Sequence, residues 1–316
     1  IRGTAILDSS STSSDTAYGT PPIGGYLGTF ESDGFTLKNG STNNTYVNEN
    51  AYPYVGWAWK AGGNKNTFNV DDVGYASAAA AGLDGGTITP VAASVGTKQG
   101  FSIIKYTGTD DTSNTFSHGL LQKPDLAIFK NLSQSGDDWI VYHTSLGATK
   151  RLKLNSTSDA DSQTSQFNDT EPTSSLFTIG TYDNINKLND NYISYLWVDV
   201  PGLQKFGSYE GNGSADGTFV ELGFRPAVVI VKIYSGTTSD WVILDSTRDL
   251  KNVVRNNLYA NTDDDQNQFD WADFLSNGFK PRVDLNQING NTHKYIYAAW
   301  AEAPMNNLFG GQSNAR

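Results

Sequence analysis

N-Y-I-S-Y-L-W-V-D-V-P-G, residues 191–202, alternates Tyr with small or β-branched side chains into a Trp and then stops at Pro-Gly. Period-2 alternation ended by residues that cannot continue a ladder predicts a β-strand. The same wording returns twice, as Y-P-Y-V-G-W-A-W-K-A-G-G at 52–63 and H-K-Y-I-Y-A-A-W-A-E-A-P at 293–304. Each copy follows a short Phe strand at near-constant distance: 22 positions from Phe35 to Trp57, 20 from Phe177 to Trp197 and 21 from Phe279 to Trp300. Constant internal spacing means a repeated module.

Upstream of these strands the repeat continues. F-S-I-I-K-Y-T-G at 101–108 matches K-F-G-S-Y-E-G-N-G at 205–213 through Tyr106/Tyr209 and Gly108/Gly211, and D-W-I-V-Y-H at 138–143 matches D-W-V-I-L-D at 240–245. A single offset of 102 relates Pro124 to Pro226, Lys130 to Lys232 and Trp139 to Trp241. About 100 residues holding seven or eight short strands is the size of an antiparallel sandwich. The expected fold is therefore all-β, with tandem antiparallel β-sandwich (jelly-roll-like) modules, two complete and one partial. Residues 1–63 read as the back half of a module, 64–99 as a Gly/Ala-rich linker, 100–203 and 204–304 as the complete modules, and 305–316 as a C-terminal tail. A chain beginning Ile1-Arg2-Gly3, where a module's front half has already passed, reads as a fragment or a processed product.

The net charge of −11 disfavours a phosphate backbone, so no nucleic acid is expected as a partner. Zero cysteines exclude disulfides and thiolate metal sites. No run of 18 apolar residues appears, and no membrane insertion is expected. The three histidines, His118, His143 and His293, stand at no metal-ligand spacing, and no nucleophile elbow, P-loop or dinucleotide loop is present. The run Asp263-Asp264-Asp265 lacks the alternating loop of a calcium site. The expectation is no cofactor, no metal and no catalysis.

The repeat acts as an internal control: a side chain present in both complete modules belongs to the scaffold, and one present in a single module is free for other work. Trp57, Trp197 and Trp300 recur, as do Trp139 and Trp241, and read as core. Trp271, in F-D-W-A-D-F at 269–274, has no counterpart and lies among carboxylates. Trp59 also stands alone. An exposed aromatic beside acceptor side chains suits a sugar, whose C–H face stacks while its hydroxyls are hydrogen-bonded. The expected ligand contacts are Trp271, Asp270 and Asp273, followed by Trp59 and His118.

The wording of several segments resembles a known family. W-K-A-G-G at 59–63, K-F-G-S-Y-E-G-N-G-S-A-D-G at 205–217, G-F-R-P at 223–226, D-F-L-S-N-G-F-K at 273–280 and Y-I-Y-A-A-W-A-E-A-P at 295–304 are similar to the repeated β-module of tail-fibre and other structural proteins of tailed bacteriophages, notably marine and cyanobacterial ones. That resemblance implies a virion protein, extracellular when it works, that meets a host surface glycan or protein alongside other virion proteins. It also implies a homotrimer. The rival classes are a capsid-decorating or fibre-shaft protein without a ligand, and a polysaccharide depolymerase.

Overall fold

The computed structural model describes residues 26–31, 34–39, 50–51, 53–134, 136–262, 264 and 266–302. The strands are β1 (Tyr26–Phe30), β2 (Phe35–Lys38), β3 (Phe68–Val70), β4 (Val73–Tyr75), β5 (Ala92–Gly96), β6 (Phe101–Thr107), β7 (Asn114–Ser117) and β8 (Leu126–Asn131). There follow β9 (Ile140–His143), β10 (Lys150–Lys153), β11 (Asp161–Ser162), the one-turn helix α1 (Thr164–Phe167), β12 (Leu176–Ile179), the one-turn helix α2 (Asp183–Asn186) and β13 (Asn191–Trp197). The last group is β14 (Gln204–Glu210), β15 (Val220–Glu221), β16 (Pro226–Ser235), β17 (Val242–Asp245), β18 (Val254–Tyr259), β19 (Gln268–Leu275), β20 (Gly278–Pro281) and β21 (Lys294–Ala301). The protein is an all-β, sandwich-type fold.

Two large sheets carry the architecture. The first runs β11-β10-β9-β8-β13-β6-β5-β3-β4, antiparallel except between β3 and β5, and the second runs β14-β21-β16-β17-β18-β19-β20-β15. The Tyr/Trp strand is flanked on both sides in each sheet: β13 between β6 and β8, and β21 between β14 and β16. Each large sheet has its own inner core. Behind the first, Tyr106, Phe129, Tyr142 and Tyr192 pack on Phe116 and Phe177 of the small β7–β12 sheet and on Phe167 of α1. In the second, the sheet turns through β18 and β19 so that Phe274 and Phe279 cover Tyr295 and Tyr297.

A third core joins the two sheets. Ile193, Tyr195 and Trp197 of β13 meet Ile296, Ala298 and Trp300 of β21, with Phe101, Val141, Phe206, Trp241 and Ile243 among the flanking residues. Successive side chains of a strand point to opposite faces. Tyr192 and Leu196 therefore enter the inner core while their neighbours enter the seam. Both faces of β13 and β21 are buried, which explains why they are near-continuous apolar runs. The bonds across the seam are specific: Trp241 Nε1 donates to the Lys153 carbonyl (2.9 Å), His143 Nε2 pairs with the Tyr297 carbonyl (3.2 Å), and Lys232 Nζ donates to Thr157 O (2.8 Å).

The spacing found in the sequence recurs as matched hydrogen bonds. Tyr106 donates to Ile185 O (2.7 Å) and Tyr209 to Ile288 O (2.6 Å). The Trp139 N–H bonds Asn155 Oδ1 (3.0 Å) and the Trp241 N–H bonds Asn261 Oδ1 (2.8 Å). Asn186 and Asn289, both fully buried, accept from the N–H of Thr109 (2.9 Å) and Asn212 (3.1 Å) and donate to surrounding carbonyls. Buried polar groups satisfied in this way fix one packing for each loop against its sheet.

Two segments depart from expectation. Residues 64–99 do not form a free linker: they supply β3, β4 and β5, and β5 pairs along the edge of β6. The small side chains of this stretch allow close backbone approach. The Gly62 N–H bonds Ser94 Oγ (3.0 Å), which in turn donates to Gly63 O (2.8 Å). Residues 53–63 carry the Tyr/Trp wording but form no ladder; Val55, Trp57 and Ala61 instead pack along the seam. Of the remaining partial module, β1 and β2 form a two-stranded sheet. Residues 1–25 and the expected tail at 305–316 lie outside the described residues.

Candidate functional site

The five expected contact residues do not share one place. Trp271 is buried at 0% exposure in the second inner core, beside Phe274 and Phe279 and edge-on to Phe269 (5.4 Å between ring centroids). Its expected role as an exposed sugar platform is corrected, because no indole face reaches solvent. Trp271 sits at a bulge: Asn256 pairs with Gln268 and Val254 with Ala272, so four steps of β19 oppose two of β18. Within the bulge strict alternation is broken, and the adjacent Trp271 and Ala272 are both buried.

Asp270 and Asp273 are held by cations at the surface. Asp270 pairs with Arg255 (2.8 Å), and Asp273 lies 3.5 Å from Arg282. His118 is also corrected from contact residue to scaffold. It is fully buried, its Nδ1 accepts from the Leu120 N–H (3.2 Å), and its Nε2–H donates to Thr173 O (3.2 Å). Burial lowers its pKa to about 4, so the ring is neutral at ordinary pH. Asp263 and Asp265 lie outside the described residues. Among the described residues, no group of acidic or imidazole side chains is arranged to hold a metal ion.

Trp59 is placed differently. It is 36% exposed and stands over one end of the seam, edge-on to Trp300 (5.1 Å) and Trp197 (6.4 Å). Those two rings meet each other edge-on at 6.1 Å, Phe101 stacks on Trp197 at 4.6 Å, and Phe206 meets Trp300 edge-on at 5.7 Å. The buried indole Nε1 atoms of Trp57, Trp197 and Trp300 have no hydrogen-bond partner among the described residues. In an edge-to-face cluster such N–H groups can point at a neighbouring π face, a weaker substitute for an oxygen acceptor. The result is an aromatic plate fixed by both sheets, with one indole open to solvent.

A pair of carboxyls that sequence reasoning passed over lies where β13 leaves the first sheet. The Asp199 N–H donates to Asp125 Oδ2 (2.8 Å), and Asp199 Oδ1 accepts from the Phe206 N–H of β14 (2.8 Å). Burial, with repulsion from Asp125 added, pushes the Asp199 carboxyl up to about 6; burial also raises Asp125. A carboxyl raised in the folded state contributes stability below its unfolded pKa of 3.8 and loses it as pH rises through 6. Asp199→Asn keeps the acceptor for Phe206 and cannot ionise. After allowance for solvent screening of this half-buried group, the variant should be more stable by about 1 kcal/mol above pH 7. Melting curves should coincide near pH 4 and separate near pH 8; coincidence at both would show that Asp199 ionises freely.

The fold and this seam define an all-β protein of two sandwiches packed back to back, with an aromatic plate at one end of their interface. The chain belongs to the family described as Domain of unknown function (DUF7483), whose model it matches over residues 1–304. No curated protein and no solved structure matches it.

Proposed function

We propose that this chain is a bacteriophage virion protein, a tail-fibre or receptor-binding component that attaches the particle to a host surface glycan or protein without catalysis. The resemblance of the Tyr/Trp strands and of the 205–217 segment to phage virion β-modules supports the virion setting. One structural observation carries the adhesive role: Trp59 stays 36% exposed while it is packed near-perpendicular to Trp197 and Trp300. A pre-fixed aromatic surface loses little conformational freedom when it stacks on a sugar ring, so most of the contact energy appears as affinity. Several weak sites on one particle then gain avidity through effective concentration.

Trp59→Ala is expected to lower binding of the purified chain to host cells or to an array of bacterial surface glycans at least tenfold, with its melting temperature nearly unchanged. Undiminished binding by this variant would remove Trp59 from the reading. Immunogold labelling of virions addresses the setting: gold at fibre ends supports the adhesin. Gold over the head supports the second reading, a decorating protein. That reading is favoured by the large share of repeated polar residues committed to internal hydrogen bonds.

A further inference from the structure

The matched halves of the molecule differ at one sheet edge. In the first sheet, β6 is flanked by β13 on one side and by β5 on the other, with Ser94 opposite Ile103 and Ala92 opposite Lys105. The Val91 N–H donates to Lys105 O (2.8 Å) on that outer side. The equivalent strand of the second sheet, β14, pairs with β21 and forms the edge; among the described residues no strand takes the place that β5 occupies. Only residues 198–203 separate β13 from β14, too short a link to hold a counterpart of β5.

The orientation of each β14 backbone group follows from its neighbours. Leu203 O accepts from Ala301 N–H toward β21, whereas Gln204 exchanges both of its groups with Val200 on the outer side. By alternation, residues 206, 208 and 210 also face outward. Two of their groups are already satisfied: the Phe206 N–H by Asp199 Oδ1 (2.8 Å) and Glu210 O by the Thr218 hydroxyl (2.8 Å). Phe206 O, Ser208 N–H, Ser208 O and Glu210 N–H have no partner among the described residues, and Ser208 and Glu210 are exposed.

We propose that this edge pairs with the same edge of a second copy of the chain, antiparallel and centred on Ser208. The pattern of free and occupied groups is self-complementary in that register. Each Ser208 N–H meets the other copy's Ser208 O, and each Glu210 N–H meets the other copy's Phe206 O. The remaining bond of that pair would join Phe206 N–H to Glu210 O, the two groups already capped within the chain. Sliding the register by two residues sets Gln204 against Glu210, where Gln204 is already bonded to Val200. An open edge without proline or bulge is otherwise a liability that proteins cover, and strand addition draws its affinity from main-chain hydrogen bonds. The dimer joins two second sheets into one continuous sheet across a two-fold axis. It does not depend on the adhesive reading: Trp59 is not part of this edge.

The test is the mass of the full chain by sedimentation at about 100 µM, a concentration at which a micromolar dimer is populated. Wild type should sediment as a dimer. Ser208→Lys and Ser208→Glu each place like charges across the axis and should weaken the dimer at least tenfold with unchanged melting temperature. An equimolar mixture of the two variants should restore it as a heterodimer. A wild-type monomer or trimer, or a dimer indifferent to both substitutions, would overturn the proposal; loss of host binding in Trp59→Ala reads out separately.

Discussion

Trp271→Ala should destabilise the protein by about 3–5 kcal/mol, the range for emptying a fully buried large aromatic site. The indole is packed among Val254, Ala272, Phe274 and Phe279, where β19 crosses from β18 to β20. Removing it leaves a void that the surrounding sheet can only partly close, because Ala272 is held in register by Val254 on one side and Pro281 on the other. Denaturant midpoints of wild type and variant measure the loss. The smaller substitution Trp271→Phe should recover much of it, since the ring still fills most of the site. Stability unchanged by Trp271→Ala would mean that the β19 bulge does not hold the indole inside.

The second large effect is acid destabilisation. His118 and His143 are both fully buried and hydrogen-bonded through both ring nitrogens, and burial pushes each down to about 4 from an ordinary 6.5. A histidine with a lowered folded pKa contributes its full stability above 6.5 and loses it as pH falls through 4, because the unfolded chain takes up the proton first. At roughly 1.4 kcal/mol per pKa unit, the two rings together should cost about 6 kcal/mol between pH 7 and pH 4. Protonating His143 disrupts the turn after β9, since its Nδ1 must give up the Ser145 N–H, and places a buried charge against Tyr297 O at the seam. Glu171, held low against its own burial by Lys123, Tyr142 and the Ala148 N–H, adds loss in the same direction, whereas Asp199 opposes it. Urea midpoints across this pH range, for wild type and His143→Asn, should show the variant losing about half as much. An equal slope in the two proteins would place the acid sensitivity elsewhere.

The paired positions show what His143 does in the scaffold. Its counterpart in the repeat is Asp245, and both cap the turn that follows their strand: Ser145 N–H bonds His143 Nδ1 (3.1 Å), and Thr247 N–H bonds Asp245 Oδ1 (3.0 Å). Two chemically different side chains perform one local task, and Arg248 supplies the charge that the buried Asp245 needs (2.6 Å). Histidine instead uses its second nitrogen to cross the seam. The rule that a residue unique to one module is free for function fails at Trp271 and His118, both buried. Each module completes its inner layer with its own parts, Phe167 on a helical turn in the first and Trp271 on a bulged strand in the second.

Sequence alone determined the strand chemistry of β13 and β21, the duplication with its constant offset, and the commitment of Trp197, Trp241 and Trp300 to packing. All of these depend on local alternation and spacing, which the chain writes directly. Only the tertiary structure decided which face each aromatic meets. A period-2 pattern identifies two faces of a strand but not what covers them, and in β13 and β21 both are covered. The packing of the two sheets back to back, the recruitment of residues 64–99 as sheet strands, and the burial of Trp271 all arise from contacts between distant segments. Trp59 remained at the surface for the same reason: its stretch met no strand to pair with and was laid across the end of a seam that neither module contains by itself.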